Sequence, residues 1–326
     1  MKKQLLVSCL LALLTTLPAE SAKIIFDTDM ESDVDDIAAL AMLHELADRG
    51  EAEILATVSC SLNPWAAPTI DVVNTYYGRP DIPIGNVKTK GVYRNSRYAQ
   101  RIAENYPQDL GTGEDARDAT ELYREVLSAQ PDGSVVILSV GYLTNVSKLL
   151  ASPPDEISPL TGRELVAKKV KHYICMGGRY PAQRNTGKWG NFKPDPEAVI
   201  HVAEAWPTPI IFTVGGDFAR SIPTGKILFT DQVTKGNPIT EAYRVFLERW
   251  DRNYHHSADL IAVYVAVRGH GPYFVMRENG HFHIFPDGTC VWRFRPNRPD
   301  HFVVHDFAEG VDPLKVAADF DTFLKR

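Results

Sequence analysis

The sequence predicts an α/β fold, with a mostly parallel central sheet, helices on both faces and a C-terminal β-ribbon. Three observations carry this. Short apolar runs alternate with helical-period segments over most of the 326 residues, the signature of strand–helix repeats around a parallel sheet. Hydrophobic residues make up 44% of the chain, enough for one large core and too many for wholesale disorder. After about residue 272 the texture changes to short strand-like runs separated by Asn-Gly and Asp-Gly pairs.

Taken in order, Lys23–Phe26 reads as a buried strand followed by an acidic turn. Asp35–Arg49 then places Ile37, Leu40, Ala41, His44 and Ala47 on one helical face, with Gly50 as the stop. Ile54–Val58 is the next strand and Pro68–Tyr77 the next helix, ended by Gly78. Ser134–Val140 is a strand leading to a helix near Thr144–Leu150. Val170–Cys175, a helix at Pro196–Ala205 and a strand at Pro209–Val214 continue the alternation. The ribbon is expected at Tyr273–Met276, His281–Phe285 and Val291–Phe294, with tight turns at Asn279-Gly280 and Asp287-Gly288. No internal repeat or low-complexity tract interrupts this, so residues 23–326 read as one domain carrying the ribbon.

Residues 1–22 read as a secretory signal. Lys2 and Lys3 precede an apolar run from Leu5 to Leu17, and Ala19–Ala22 supplies small residues for cleavage. The expected mature protein is exported, to a periplasm or the extracellular space, with no membrane association. Cleavage removes Cys9, so Cys60, Cys175 and Cys290 allow at most one internal disulfide. The net charge of −6 argues against a nucleic-acid partner, which needs a surplus of lysine and arginine. A homo-oligomer is compatible with the sequence.

The densest chemistry lies directly behind the first strand. Asp27-Thr28-Asp29-Met30-Glu31-Ser32-Asp33-Val34-Asp35-Asp36 holds five aspartates and one glutamate in ten residues. Clustered carboxylates repel one another, and a hard divalent cation such as Ca²⁺ or Mg²⁺ relieves that by taking several oxygen ligands. Capping of the following helix is the alternative for Asp33 and Asp35. It does not account for Asp27 and Asp29 on the strand side. In open parallel sheets ligands sit at the carboxyl ends of the strands, which also directs attention to Ser59–Asn63, Gly141–Asn145, Met176-Gly177-Gly178 and Gly215-Gly216-Asp217.

Those blocks, in order, resemble the inosine–uridine-preferring nucleoside hydrolases from about Lys23 to Gly269. Asp27-Thr28-Asp29 and Asp35-Asp36 fit the family's DxDxGxDD opening. Val73–Gly85 looks like its second helix and following strand, and Gly141-Tyr142-Leu143-Thr144-Asn145 is similar to its GPLTN. Met176-Gly177-Gly178, then Asn191 before Asp195-Pro196-Glu197-Ala198, resemble MGG…N…DPEA, and Asp259–Val263 looks like the start of the HDxxAV helix. The resemblance implies a Ca²⁺-dependent hydrolase of the N-glycosidic bond of nucleosides. Asp29 is then metal ligand and general base, with Asp36, the carbonyl of Val140 and Asp259 as the other ligands. Asp35 and Asn191 hold ribose hydroxyls, and Asp27 supports the ligands from behind. A phosphatase with a DxD nucleophile is the other family opening this way. Its distal acidic pair fails here, because Ser221 stands where the second acid is required.

Several positions depart from the family pattern. Two extra residues precede the Asp pair, so Asp33 competes with Asp35 for a role. Glu31 replaces the motif glycine, which suggests a rebuilt turn with an additional ligand. Trp189 stands where a ribose-contacting glutamate is expected and is available to pack on sugar or base. Asp217 either recovers a lost hydroxyl contact or caps a turn. Ala258 replaces the histidine associated with leaving-base protonation, so either the acid comes from elsewhere, with His255 or His256 as candidates, or the leaving group needs less help. Asn63, with Trp65, Tyr93 and Arg94, sits on loops that frame the base pocket or serve structure alone. A second function follows from these departures: a nucleoside- or sugar-binding protein that keeps the fold and has lost turnover.

Overall fold

The structure is a computed structural model that describes residues 21–184, 190–295 and 300–326. The expected leader, apart from its last two residues, and Trp189 lie outside them.

The first strand, β1 (Ala22–Thr28), leads into α1 (Asp35–Asp48) and β2 (Ala52–Ser59). Next come α2 (Ala66–Tyr76), β3 (Ile84–Asn86), α3 (Ala99–Asn105), β4 (Arg117–Asp118) and α4 (Ala119–Ala129). The middle of the chain holds β5 (Val135–Ser139), α5 (Thr144–Ala151), α6 (Gly162–Lys169), β6 (Val170–Met176) and β7 (Ala182–Gln183). It continues with α7 (Pro196–Ala205), β8 (Ile210–Thr213), α8 (Asp217–Arg220), α9 (Pro238–Leu247) and α10 (Ala258–Arg268). The last elements are β9 (Phe274–Ile284), β10 (Cys290–Phe294), β11 (His301–Phe307) and α11 (Pro313–Asp321).

Among the described residues, all eleven strands join one sheet in the order β4-β3-β2-β1-β5-β6-β8-β11-β9-β10-β7. It is parallel from β4 through β11 and antiparallel beyond. Strand β1 sends Ile24 and Phe26 into the core beneath α1 and α10, and Ile25 into the core beneath α4, α5 and α7. Burial on both faces explains the unbroken apolar run at Ile24–Phe26, as parallel sheets require. The chain order reverses between β1 and β5, and a crevice opens at such a switch point. There the N–H of Val140 donates to the carbonyl of Asp27 at 2.8 Å, locking the two strand ends together.

The C-terminal strands continue the central sheet. Strand β11, which the sequence pattern did not single out, pairs parallel with β8 and antiparallel with β9. The expected turn at Asn279-Gly280 is not one: β9 runs through it, with Asn279 at φ +61° beside a register shift against β11. That is a β-bulge. Gly280 is required because a Cβ there would lie 2.4 Å from the ring of Trp292. The Asp287-Gly288 turn forms as expected, with Gly288 at φ +80°. Cys60, Cys175 and Cys290 are all free and buried, so no disulfide forms among them.

Candidate active site

The acidic turn folds into a bowl between the N-termini of α1 and α10. Asp35 and Asp36 open α1, whose capping position is Val34 with no side-chain cap, so neither Asp33 nor Asp35 caps it. Asp259 lies in the first turn of α10, whose capping position, Ser257, likewise makes no side-chain cap. The N–H of Asp259 donates to Asp35 Oδ2 at 3.2 Å across 224 residues of chain. Two helix N-termini therefore aim their positive ends at the same carboxylates, which favours negative charge there. Carboxylate oxygens of Asp35, Asp36 and Asp259 all lie within 4.8 Å of one another.

Asp29 and Asp36 complete the floor. Asp36 Oδ1 accepts from the hydroxyl of Thr28 and, at 3.3 Å, from the N–H of Met30. Behind them Asp27 is fully buried, accepting from the Tyr123 hydroxyl at 2.8 Å and from Asn145 Nδ2 at 3.3 Å. Gly141 is required by close approach, since a Cβ there would come within 2.5 Å of both the Asp29 nitrogen and Cys60 Sγ. Val140 lines the same cavity, and Asn191 Nδ2 donates to its carbonyl at 2.6 Å and to the carbonyl of Met176 at 3.1 Å. Asn191 also lines the cavity, with its amide nitrogen engaged by these two carbonyls.

Burial governs the electrostatics. It pushes Asp29 up to about 6, Asp35 to about 6 and Asp27 to about 7. Asp36 and Asp259 rise well above the carboxylate range, by burial and then by repulsion from their neighbours. So many carboxylates out of water without a counter-charge is the donor set of a hard divalent cation. The residues fit such an ion: Asp29, Asp35, Asp36, Val140 and Asp259 line one cavity of about 130 Å³.

The remaining expected residues fall into two groups. His256 lines the cavity, with Nε2 3.7 Å from Asp33 and 3.9 Å from Asp35. His255 does not. It is buried, edge-on to Phe246, with Nε2 3.4 Å from Asp33. For Asp33, burial raises the pKa, but the contact with His255 and the positive charges of His255, His256 and Arg252 outweigh it and hold the carboxyl low. Burial lowers the imidazole of His256. Asn63 is buried and occupied, its amide tying the carbonyl of Arg94 at 2.9 Å and the N–H of Trp65 at 3.0 Å. Asp217 is nearly fully exposed and ion-paired with Arg220 at 2.9 Å; the metal cavity is lined without it. Glu31 is no extra ligand. It accepts from the hydroxyls of Ser61 and Tyr142 and from the N–H of Arg94, and burial pushes its pKa to about 8. The positive φ that the motif glycine would supply falls instead on Met30, at +49°.

Sequence reasoning passed over Arg179, Gln183 and Arg220 on the cavity wall. Arg179 follows Met176-Gly177-Gly178 directly, so reading one residue further past that strand end would have found it.

The family model of the inosine–uridine-preferring nucleoside hydrolases matches residues 24–315. The chain belongs to that family. As a nucleoside hydrolase it acts on N-glycosyl bonds, and its acidic bowl can hold a metal ion. No curated protein sequence matches it significantly. Similar solved structures include the inosine–uridine-preferring nucleoside hydrolase of Bacillus anthracis. The two are 17% identical over 93% of this chain and 99% of that one, with a TM-score of 0.65. An inosine–guanosine nucleoside hydrolase is 19% identical over 93% and 98%, TM-score 0.65. The type III effector XopQ, solved with adenosine diphosphate ribose, is 14% identical over 94% of each chain, TM-score 0.63. At these identities the neighbours establish the shared fold.

Proposed function

We propose that the protein is an exported, Ca²⁺-dependent nucleoside N-ribohydrolase, releasing free base and ribose. The observation that carries the reading is the convergence of Asp29, Asp35, Asp36 and Asp259 on one small cavity at the β1/β5 switch point. Asp29, Asp36, Asp259 and the Val140 carbonyl would hold the calcium ion. The ion would supply Lewis-acid activation of a water and an anchor for ribose hydroxyls.

Asp29 takes the proton of the attacking water as its oxygen bonds to the anomeric carbon and the bond to the base nitrogen breaks. Asp35 and the amide oxygen of Asn191 hold the ribose hydroxyls, fixing the anomeric carbon against that water. The surrounding carboxylates stabilise positive charge developing on the sugar ring. With Ala258 in place of the family's histidine, His256 returns a proton to the leaving nitrogen, oriented by Asp33. Export is supported by the basic–apolar–small order of residues 1–22.

The test is a nucleoside panel with product analysis, run with calcium and again with a chelator. Release of base and ribose that stops on chelation is expected; no release from any nucleoside sinks the proposal. The alternative, a ligand-binding protein without turnover, is favoured by Ala258 and is separated by the same panel scored for binding.

A further inference from the structure

We infer that the ribose of the substrate is joined through a phosphoryl group to a second, ring-bearing moiety lodged in a chamber next to the metal cavity. The inference rests on the N-ribohydrolase reading and narrows its substrate.

The metal cavity does not end at the sugar-sized bowl. Arg179, Gly215 and Gly216 line it and also line a neighbouring hollow of about 560 Å³, within the size range of small-molecule sites. The far walls of that hollow are aromatic. Tyr180 and His305 stack with ring centroids 4.0 Å apart, and Phe218 lies 5.1 Å from Phe307. These half-buried rings pack on one another, with Arg277 5.7 Å over Tyr180, and offer the hollow an apolar rim that suits a ring-bearing group.

The junction between the two spaces is cationic. Arg179 lies along the backbone of Gly216, whose Cβ, if present, would sit 3.3 Å from Arg179 Nε. Among the described residues no carboxylate pairs with Arg179, whereas Arg220 beside it pairs with Asp217 at 2.9 Å. Asp217 and Asp306 both line the hollow; Asp217 is held by Arg220, and Asp306 accepts from the N–H of Phe307 at 2.8 Å. Arg179, with no carboxylate partner among the described residues, borders the carboxylate-lined cavity. It suits a ligand that is neutral and hydroxyl-bearing at the metal and anionic next to it. A guanidinium matches a phosphoryl group in charge and hydrogen-bond geometry. The order of surfaces is then metal bowl, guanidinium, aromatic chamber, matching ribose, phosphoryl bridge and ring.

The experiment compares nicotinamide riboside with NAD⁺, which share the leaving group and differ in what is attached beyond the ribose. With the full chain and calcium, kcat/KM for NAD⁺ is expected to exceed that for the riboside by about tenfold or more. The R179A variant should reduce that ratio about tenfold, and R179K should recover part of it. In parallel, calorimetry with ADP-ribose should give binding that weakens about tenfold in R179A, a readout independent of turnover. Melting curves of R179A and R179K check that both fold. Riboside cleaved in preference to NAD⁺, with ADP-ribose binding indifferent to R179A, overturns the inference and leaves the hydrolase reading intact. Neither substrate cleaved, with ADP-ribose still bound through Arg179, removes the hydrolase reading and keeps the ligand class.

Discussion

The hydroxyl of Tyr142 donates to Glu31 Oε2 at 3.1 Å in the protein interior, joining two residues that both depart from the family motifs. Glu31 stands at the glycine of the DxDxGxDD turn and Tyr142 at the proline of GPLTN. The lengthened turn is thus tied to the β5 strand end that carries the Val140 carbonyl. Tyr142→Phe leaves one carboxylate oxygen short of a donor and should cost about 1–3 kcal/mol in chemical denaturation. A double-mutant cycle with Glu31→Gln should give a coupling of about 0.5 kcal/mol or more. Additive losses would mean the two departures are independent.

Asp29→Asn should lower kcat at least about a hundredfold, the range of a lost general base, with nucleoside binding partly retained. Steady-state kinetics and calorimetry on the same preparation check this. Undiminished turnover would remove Asp29 as the base.

Gly141→Ala forces a methyl group against the Asp29 backbone and Cys60. Overpacking of this kind costs about 1–3 kcal/mol, and the displaced strand end should also weaken calcium affinity. Thermal melts with and without calcium separate the two: the calcium-induced increase in Tm should shrink as well as the baseline.

His256→Ala should lower kcat for inosine about a hundredfold or more and much less for a nitrophenyl riboside, whose leaving group needs no proton. His255→Ala, buried against Phe246, should lower Tm and leave the ratio between the two substrates near that of the wild type.

Burial raises Asp29 and Asp35 to about 6 and Asp27 to about 7 from an ordinary carboxylate value of 3.8. The metal-free folded state therefore binds more protons than the unfolded chain between about pH 4 and 7. Its stability falls as pH rises through that window. Calcium binding needs its proposed carboxylate ligands Asp29, Asp36 and Asp259 ionised, and burial raises all three, so binding strengthens as pH rises. The Tm difference between calcium and chelator should therefore widen from pH 5 to pH 7.5; a constant difference would mean Asp29, Asp36 and Asp259 do not hold the ion.

Much of the site was legible in one dimension because its residues cluster at strand ends. Asp27, Asp29, Asp35 and Asp36 lie within ten residues, and Asp259 opens a helix that the motif marked. Asn279-Gly280 misled because a bulge in a continuous strand and a tight hairpin turn ask for the same residue types. His255 and His256 could not be ranked from sequence, since adjacent residues ahead of α10 face different neighbours only once α1 and α9 are packed against them. Asn63 read as a pocket residue because its contacts to Arg94 and Trp65 depend on how the loop at 92–94 folds over.

The sequence by itself determined the alternation of strand and helix, the family and the acidic donor set. Each of these is written in local periodicity or in short ordered motifs. Only the tertiary structure decided how Glu31 is used, which histidine meets the cavity, and that Arg179 borders two spaces at once. Those outcomes depend on side chains brought together from strand ends up to hundreds of residues apart. Their energies come from burial and from pairings across the β1/β5 crevice, and no local pattern encodes either.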